Sequence, residues 1–293
     1  MTRSGFVALA GRPNVGKSTF VNAVVGEKVA IVSDRPQTTR RAIRGVHESG
    51  DCQIVLVDLP GVQRPRDALT ARMARRVQQE LDGADATLLM LNAQQGVGPG
   101  DRFIARTLVG AQKPVTIALN KVDRLSRASL MGALQEAAEL EPRAEVFPIS
   151  ARTGAGVTEL VEHLAALMPE GPFMFAAGAR SDQSRELLLA ELIREAVIRR
   201  TFQELPHAVE VVVEEVEETP AGLMRVRALI WVESDSQKGI LIGARGRMVK
   251  AIGTAARREL QRALGTQVHL ELSVRVRRDW RADEGLLDRL GLT

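Results

Sequence analysis

The chain has 293 residues, 45% of them hydrophobic and 26% charged, with a net charge of +4, which suits about two domains of an ordinary soluble globular protein, each with its own core. A single cysteine, Cys52, excludes a disulfide framework or a cysteine-based zinc site within the chain and suits a reducing cytoplasm. His47, His163, His207 and His269 are scattered without metal-ligand spacing, the N-terminus lacks signal-peptide order, and no apolar run approaches a membrane span, so any membrane contact is expected to be peripheral.

An apolar run at residues 6–10 leads into Gly11-Arg12-Pro13-Asn14-Val15-Gly16-Lys17-Ser18, which fits G-x-x-x-x-G-K-[ST], and a helix-like stretch follows at 19–25. Strand, glycine loop and helix in that order form a phosphate cradle: backbone N–H groups turn inward and the helix N-terminus adds positive potential. Lys17 is expected to reach the β- and γ-phosphates and the Ser18 hydroxyl to ligate Mg2+, with Gly16 and Thr19 beside the same phosphates. The polar segment 34–41 offers Thr38 and Thr39 as a second hydroxyl for that metal. Spacing does not separate them; Thr39 is carried forward in the metal and catalytic sets.

Residues 42–47 and 53–57 read as two strands joined by a tight turn. The second ends in Asp58-Leu59-Pro60-Gly61, which puts a carboxylate at the end of a buried strand, where open parallel sheets place their ligands. Asp58 is expected to hold Mg2+ through water, and the Gly61 amide to approach the γ-phosphate. Continuous apolar runs at 88–91, 115–119 and 146–149 alternate with helical stretches, one of them 130–140, as in a mostly parallel sheet covered on both faces.

The run 115–119 ends in Asn120-Lys121-Val122-Asp123. A carboxylate only accepts hydrogen bonds, and guanine offers paired donors at N1–H and the 2-amino group, so Asp123 is expected to read guanine. Asn120 would fix the loop and touch the base, the Lys121 stem would lie along its face, and Ser150-Ala151 would close the pocket through a backbone amide.

A helix at 157–168 closes the first domain, expected at 1–170, and the irregular stretch 171–183 reads as a linker to a second domain at 184–293. A Leu- and Ile-rich helix from about 185 to 200 is capped by Ser184 or Asp182. Clean alternation at Val209, Val211, Val213 and at Met224, Val226, Ala228, Ile230, Val232 describes strands with one covered face. An apolar segment 239–242 enters Gly243-Ala244-Arg245-Gly246, a basic helix spans 247–264, and a last alternating strand spans 268–276. From Lys238 to Arg262 there are seven Lys or Arg against one acid, Glu259, whereas Glu210 to Glu218 holds five glutamates, so the anion-binding face has a direction.

A G-x-x-G gains weight from this α-β-β-α-α-β order, which is that of a type II KH domain whose glycine loop approaches single-stranded RNA. Gly243, Ala244, Arg245, Gly246, Arg247 and Lys250 are the candidate RNA contacts, with Ile240, Ile242 and Ile252 as candidates for lining an aliphatic groove. The basic tail 275–281 is expected to extend the phosphate contacts.

The fold class is therefore an α/β P-loop GTPase domain, mostly parallel sheet with helices on both faces, followed by a smaller α+β type II KH domain. The four nucleotide motifs, in this order, resemble those of the translation-factor-related GTPases. With one C-terminal KH domain carrying I-G-x-x-G-x-x-x-K-x-I-G, the whole chain resembles the bacterial Era family. That resemblance implies a GTP-hydrolysing assembly factor of the small ribosomal subunit that binds the 3′ end of 16S rRNA under control of the GTP/GDP state. It also implies a monomer in the cytoplasm with a peripheral fraction at the membrane. Val62 stands where Ras-like enzymes carry their glutamine, so slow intrinsic hydrolysis is expected, and Asn14 is expected to help hold K+ near the phosphates. Leu59 departs from the usual Thr of the family. A GTPase acting on tRNA or translation, and an RNA-binding protein with a vestigial GTPase half, are the competing readings.

Overall fold

This is a computed structural model, and it describes residues 1–33, 35, 38–61, 67–110, 112–220 and 222–292. Val62 lies outside the described residues, as do Asp34, Pro36 and Gln37 of the polar segment. Two compact units emerge. The first comprises Met1–Ala30, Thr39–Arg66 and Thr70–Asp182; the second comprises Ile31–Thr38, Asp67–Leu69 and Gln183–Thr293.

In the first unit the chain runs β1 (Arg3–Ala10), α1 (Lys17–Val25), β2 (Ile43–Ser49), β3 (Cys52–Asp58), α2 (Ala68–Gly83), β4 (Ala86–Asn92), α3 (Pro99–Gly110), β5 (Val115–Asn120), α4 (Arg127–Ala138), β6 (Val146–Ile149) and α5 (Val157–Ala166). The strands form one sheet in the order β2-β3-β1-β4-β5-β6, parallel except for β2 against β3. Every residue of β3 and β4 is buried, which explains why their sequences are apolar without alternation.

Successive residues of β1 enter opposite cores. Val7 and Leu9 pack in one cluster with Phe20 of α1 and Leu160 of α5, while Ala8 and Ala10 pack in another with Val77 of α2 and Ile104 of α3. Helices therefore cover both faces, and the carboxyl ends of β1, β3 and β5 deliver the phosphate loop, Asp58 and Asn120 to the same edge. Helix α4 begins three residues before the sequence reading because the Ser126 hydroxyl caps it, accepting from the Ser129 N–H at 3.2 Å.

The second unit contains α6 (Arg185–Ile198), α7 (Leu205–Ala208), β7 (Glu210–Glu218), β8 (Met224–Val232), α8 (Asp235–Ile242), α9 (Arg247–Leu264), β9 (Val268–Val276) and α10 (Glu284–Arg289). Its sheet order is β7-β8-β9, with β7 antiparallel and β9 parallel to β8. A parallel neighbour needs a crossover, which α8 and α9 supply. Ser184 caps α6, accepting from the Leu187 N–H at 3.2 Å.

The apolar segment 239–242 is the end of helix α8, started by the Ser234 cap, and α8 is the first of the two helices that the α-β-β-α-α-β order places between β8 and β9. One expectation changes here. Ile252 is fully buried in the core and lines no groove, whereas Ile240 and Ile242 are exposed. Within the basic tail Arg275, Arg277 and Arg278 are exposed, while Trp280 is fully buried and donates from Nε1 to Ala208 O at 3.0 Å and Arg281 pairs with Asp67. An indole buried with its N–H satisfied anchors the chain, and α10, unforeseen in the sequence, follows.

Candidate nucleotide site and nucleic-acid interface

The loop between β1 and α1 closes tightly on itself. Gly16 has φ +106°, and a Cβ there would meet Asn120 Nδ2 at 2.2 Å, so only glycine fits. No side chain caps α1, which leaves its first N–H groups for an anion. Lys17 is buried and its Nζ donates to Gly11 O at 3.1 Å and Arg12 O at 3.2 Å. Thr19 follows on the first turn, half-buried.

At the helix start, Ser18 Oγ donates to Asp58 Oδ2 at 2.5 Å, and Thr39 Oγ1 lies 3.2 Å from Ser18 Oγ and 3.5 Å from Asp58 Oδ2. Thr38 points elsewhere: its Oγ1 donates to Arg35 O at 2.7 Å. The pair that spacing left open is thus separated by geometry: Thr39, and not Thr38, lies beside Ser18 and Asp58. Asp58 is fully buried, and its Oδ1 has no hydrogen-bond partner among the described residues. Burial raises the Asp58 pKa above the ordinary carboxylate value against the opposing charge of Lys17 and the hydroxyls of Ser18 and Thr39; burial likewise lowers that of Lys17, opposed by Asp58. Two hydroxyls and a buried carboxylate with a spare oxygen are the hard-oxygen donor set that Mg2+ takes.

Gly61 follows β3, where a Cβ would meet Pro13 N at 2.9 Å; the loop after Asp58 therefore approaches the phosphate loop backbone to backbone.

The loops after β5 and β6 converge on Asn120, which is almost fully buried. Its Nδ2 donates to Val15 O at 2.8 Å, and its Oδ1 accepts from Lys121 N at 2.8 Å and Ala151 N at 3.0 Å. Asn120 therefore ties the phosphate loop, the base loop and the loop after β6 together, and the Ala151 amide expected at the base is committed to it. Lys121, at φ +69°, reaches back to donate to Asn14 O at 2.7 Å; Asn14 itself is exposed at φ +63°. Asp123 accepts from Ser150 Oγ at 2.7 Å and from Arg152 Nη2 at 2.6 Å, and these contacts, Ser150 first, hold its pKa below the ordinary carboxylate value.

Two contributors escaped the sequence reading. Arg152 shares the Asp123 carboxylate, and nothing in its spacing marks it. Arg12, inside the phosphate loop, donates from Nε to the fully buried Asp101 at 2.9 Å, so α3 helps set the loop's shape; a charged residue at a variable motif position was the available signal.

In the second unit, Gly243 (φ +69°), Arg245 (φ +54°) and Gly246 (φ +73°) all adopt left-handed backbone between α8 and α9. A Cβ on Gly243 would meet Met248 Cβ at 2.8 Å. Gly246 caps α9 without a side chain, so again the first turn of a helix offers bare N–H groups. Arg245, Arg247 and Lys250 are exposed around it, with Ala244 between the glycines. Beside this loop a groove of about 460 Å³ runs between α9 and the edge strand β9, lined by Val249, Lys250, Arg257, His269, Leu270 and Leu272 among others. Half-buried leucines on an edge strand under a basic helix suit bases on one side and phosphates on the other. From sequence, Leu270 and Leu272 stand only as positions of the last alternating strand.

Family models match both halves: a 50S ribosome-binding GTPase over residues 6–121 and a KH domain over residues 204–281. The GTPase Era of Mycobacterium tuberculosis is 45% identical over 294 aligned residues, covering 98% of each chain. The chain belongs to the Era family of GTPases. Era of Geobacter metallireducens is 43% identical over 99% of this chain and 98% of its own. Two crystal structures superpose over the whole of both chains at TM-score 0.95 and 34% identity: an Aquifex aeolicus Era variant bound to GDP and AlF4⁻, and an Era complex with MgGDPNP and nucleotides 1506–1542 of 16S ribosomal RNA.

Proposed function

We propose that this chain is a GTP-hydrolysing assembly factor of the small ribosomal subunit, which binds the 3′ end of 16S rRNA through its KH groove under control of the GTP/GDP state. The observation that carries the reading is one chain holding both a Lys17–Ser18–Asp58 phosphate and metal cluster with Asp123 at the base loop and a glycine-loop groove under a basic helix. The full-length likeness to the RNA-bound Era complex supports it. A division near residues 170 and 184, a monomeric state, and a cytoplasmic location with a peripheral membrane fraction belong to the same reading. Among the described residues no helix is long and apolar enough to cross a membrane.

Lys17 holds the β- and γ-phosphates, assisted by the N–H groups of Gly16, Ser18 and Thr19. Ser18 and Thr39 present hydroxyls, and Asp58 its spare Oδ1 through water, to a Mg2+ that neutralises charge on the transferring phosphoryl group. Gly61 offers its amide to the γ-phosphate, so both Thr39 and Gly61 sense whether that phosphate is there. Asp123 accepts from guanine, with Asn120, Lys121, Ser150 and Ala151 shaping the pocket. With Val62 at the glutamine position, water is not held by a side-chain amide and intrinsic turnover is slow. Asn14 helps hold K+ at the phosphates; GTPase rates equal in KCl and NaCl at matched ionic strength would remove that role.

The test is binding of a fragment from the 3′ end of 16S rRNA to protein loaded with a non-hydrolysable GTP analogue or with GDP, across a salt series. Specific binding favoured by the GTP form is expected. Gly246→Asp, which adds a negative charge at the clamp, is expected to weaken RNA binding and spare nucleotide binding. Affinity no better than for scrambled RNA in both nucleotide states would refute the RNA assignment.

A further inference from the structure

A second groove in the KH-containing unit, about 520 Å³, lies between α6 and α9, and four arginines line it: Arg199, Arg200, Arg258 and Arg262. Its two carboxylates are already answered. Glu195 pairs with Arg199 at 2.9 Å and Glu259 with Arg262 at 2.8 Å. Among the described residues Arg200 donates to one neutral acceptor, Ala196 O, at 3.3 Å, and the exposed Arg258 has no side-chain partner. The groove therefore carries surplus positive charge. Arginines near helix C-termini are also favoured by the helix dipole, but that preference does not require them to converge on one cleft.

The placement along α9 gives the surplus a direction. Lys250, Thr254, Arg258 and Arg262 follow one another every four residues. Such a row climbs about 6 Å per step and winds about 40° around the helix each time. It starts on the β9 side, where Lys250 lines the base groove, and ends on the α6 side, where Arg258 and Arg262 line the arginine groove; Thr254 lines both. The two grooves are thus joined over the helix by one ridge, basic at Lys250, Arg258 and Arg262, with the Thr254 hydroxyl between them turned back to Lys250 O at 2.9 Å.

A glycine-loop clamp holds about four nucleotides. The RNA in the Era complex, nucleotides 1506–1542, is far longer. We propose that the α9 ridge is a phosphate track, and that the α6–α9 groove holds backbone phosphates of the RNA segment flanking the bases read at Gly243–Gly246. The chemistry required is a chain of phosphates and not a base edge, since guanidinium forks suit phosphate oxygens and the groove offers few apolar platforms. This proposal rests on the RNA-binding reading above.

The test uses the full chain loaded with a GTP analogue and two labelled RNAs: a short one spanning only the base groove, and a longer one carrying flanking sequence on both sides. Arg200→Ala/Arg258→Ala is expected to bind the short RNA within twofold of the parent. It is expected to bind the long RNA about tenfold more weakly, with a salt slope smaller by about 1.4 for two lost contacts to a single strand. Arg200→Lys/Arg258→Lys should recover most of that loss, and unchanged thermal melting of each variant will show that folding is intact. Unchanged long-RNA affinity in the double alanine variant, or an equal loss for both RNAs, would overturn the track while leaving the base groove standing. Weakened binding of a polyglutamate peptide with the long RNA unaffected would assign the groove to an acidic protein and also overturn it. Failure of the parent to distinguish the short RNA from a scrambled one would instead overturn the RNA reading itself.

Discussion

Arg194 is fully buried in α6, and replacing it tests how the second unit is held together. Its guanidinium grips Glu191 with both arms, Nε at 3.0 Å and Nη2 at 2.5 Å, and Nη2 also donates to Thr38 O. Glu191, Glu195 and Glu210 are each at most 4% exposed, so the site holds three acids to one fully buried cation. Glu195 accepts from Val32 N at 3.0 Å and pairs with Arg199. Arg194→Met nearly keeps the volume and removes the charge that Glu191 pairs with; breaking such a buried pair costs about 3–5 kcal/mol. Glu191→Leu added to it removes a carboxylate as well, and because an apolar pair of similar volume is often as stable as the ion pair, the double variant should recover at least about half of the loss.

The assay reads this unit selectively. The chain has two tryptophans and no tyrosine, and Trp231 and Trp280 both belong to the second unit. Urea unfolding followed by tryptophan fluorescence therefore reports the stability of that unit. A loss under about 1 kcal/mol in Arg194→Met, or a double variant no more stable than the single one, would show that the cluster is not coupled as the geometry requires.

Asp123→Asn is expected to cost at least about a hundredfold in GDP affinity and to shift preference toward xanthine nucleotides, because an amide donates where guanine also donates; unchanged GDP affinity measured by titration would refute the base assignment. Since Ser150 and Arg152 hold the Asp123 pKa below its ordinary value near 3.9, this acid stays ionised on acidification, and the ratio of GDP to IDP affinity, in which the phosphate end cancels, should be flat from pH 8 down to about pH 5. A fall of that ratio centred near pH 6 would mean that another group reads the base. Gly16→Ala is expected to strain the phosphate loop and break the Asn120 bond to Val15, together about 3 kcal/mol or roughly a hundredfold in GDP affinity by calorimetry; a change under threefold would contradict the close approach of Gly16 to Asn120.

The nucleotide loops were legible in the linear chain because their chemistry is local. A glycine at φ +106°, a lysine at the start of a helix and a carboxylate at the end of a buried strand each answer to the local backbone, and each leaves a short pattern. Strand type was legible for a similar reason: burial on two faces removes alternation in β3 and β4, and burial on one face preserves it in β8. The order of these pieces was enough to give the fold class and the family.

What only the tertiary structure decided is which of several chemically equal residues meets a distant partner. Thr38 and Thr39 are neighbours of one type, yet one turns to Arg35 and the other to Ser18 and Asp58. Ile240, Ile242 and Ile252 read alike, yet only the last is in the core. Trp280 sits in a run of arginines that looks solvated until Ala208, far back in the chain, supplies its acceptor. Arg194 looks like one more surface charge on a helix until three acids and the Thr38 carbonyl enclose it. Local backbone chemistry is written in adjacent residues, whereas burial is a property of contacts between residues far apart, and a single sequence carries no direct record of those.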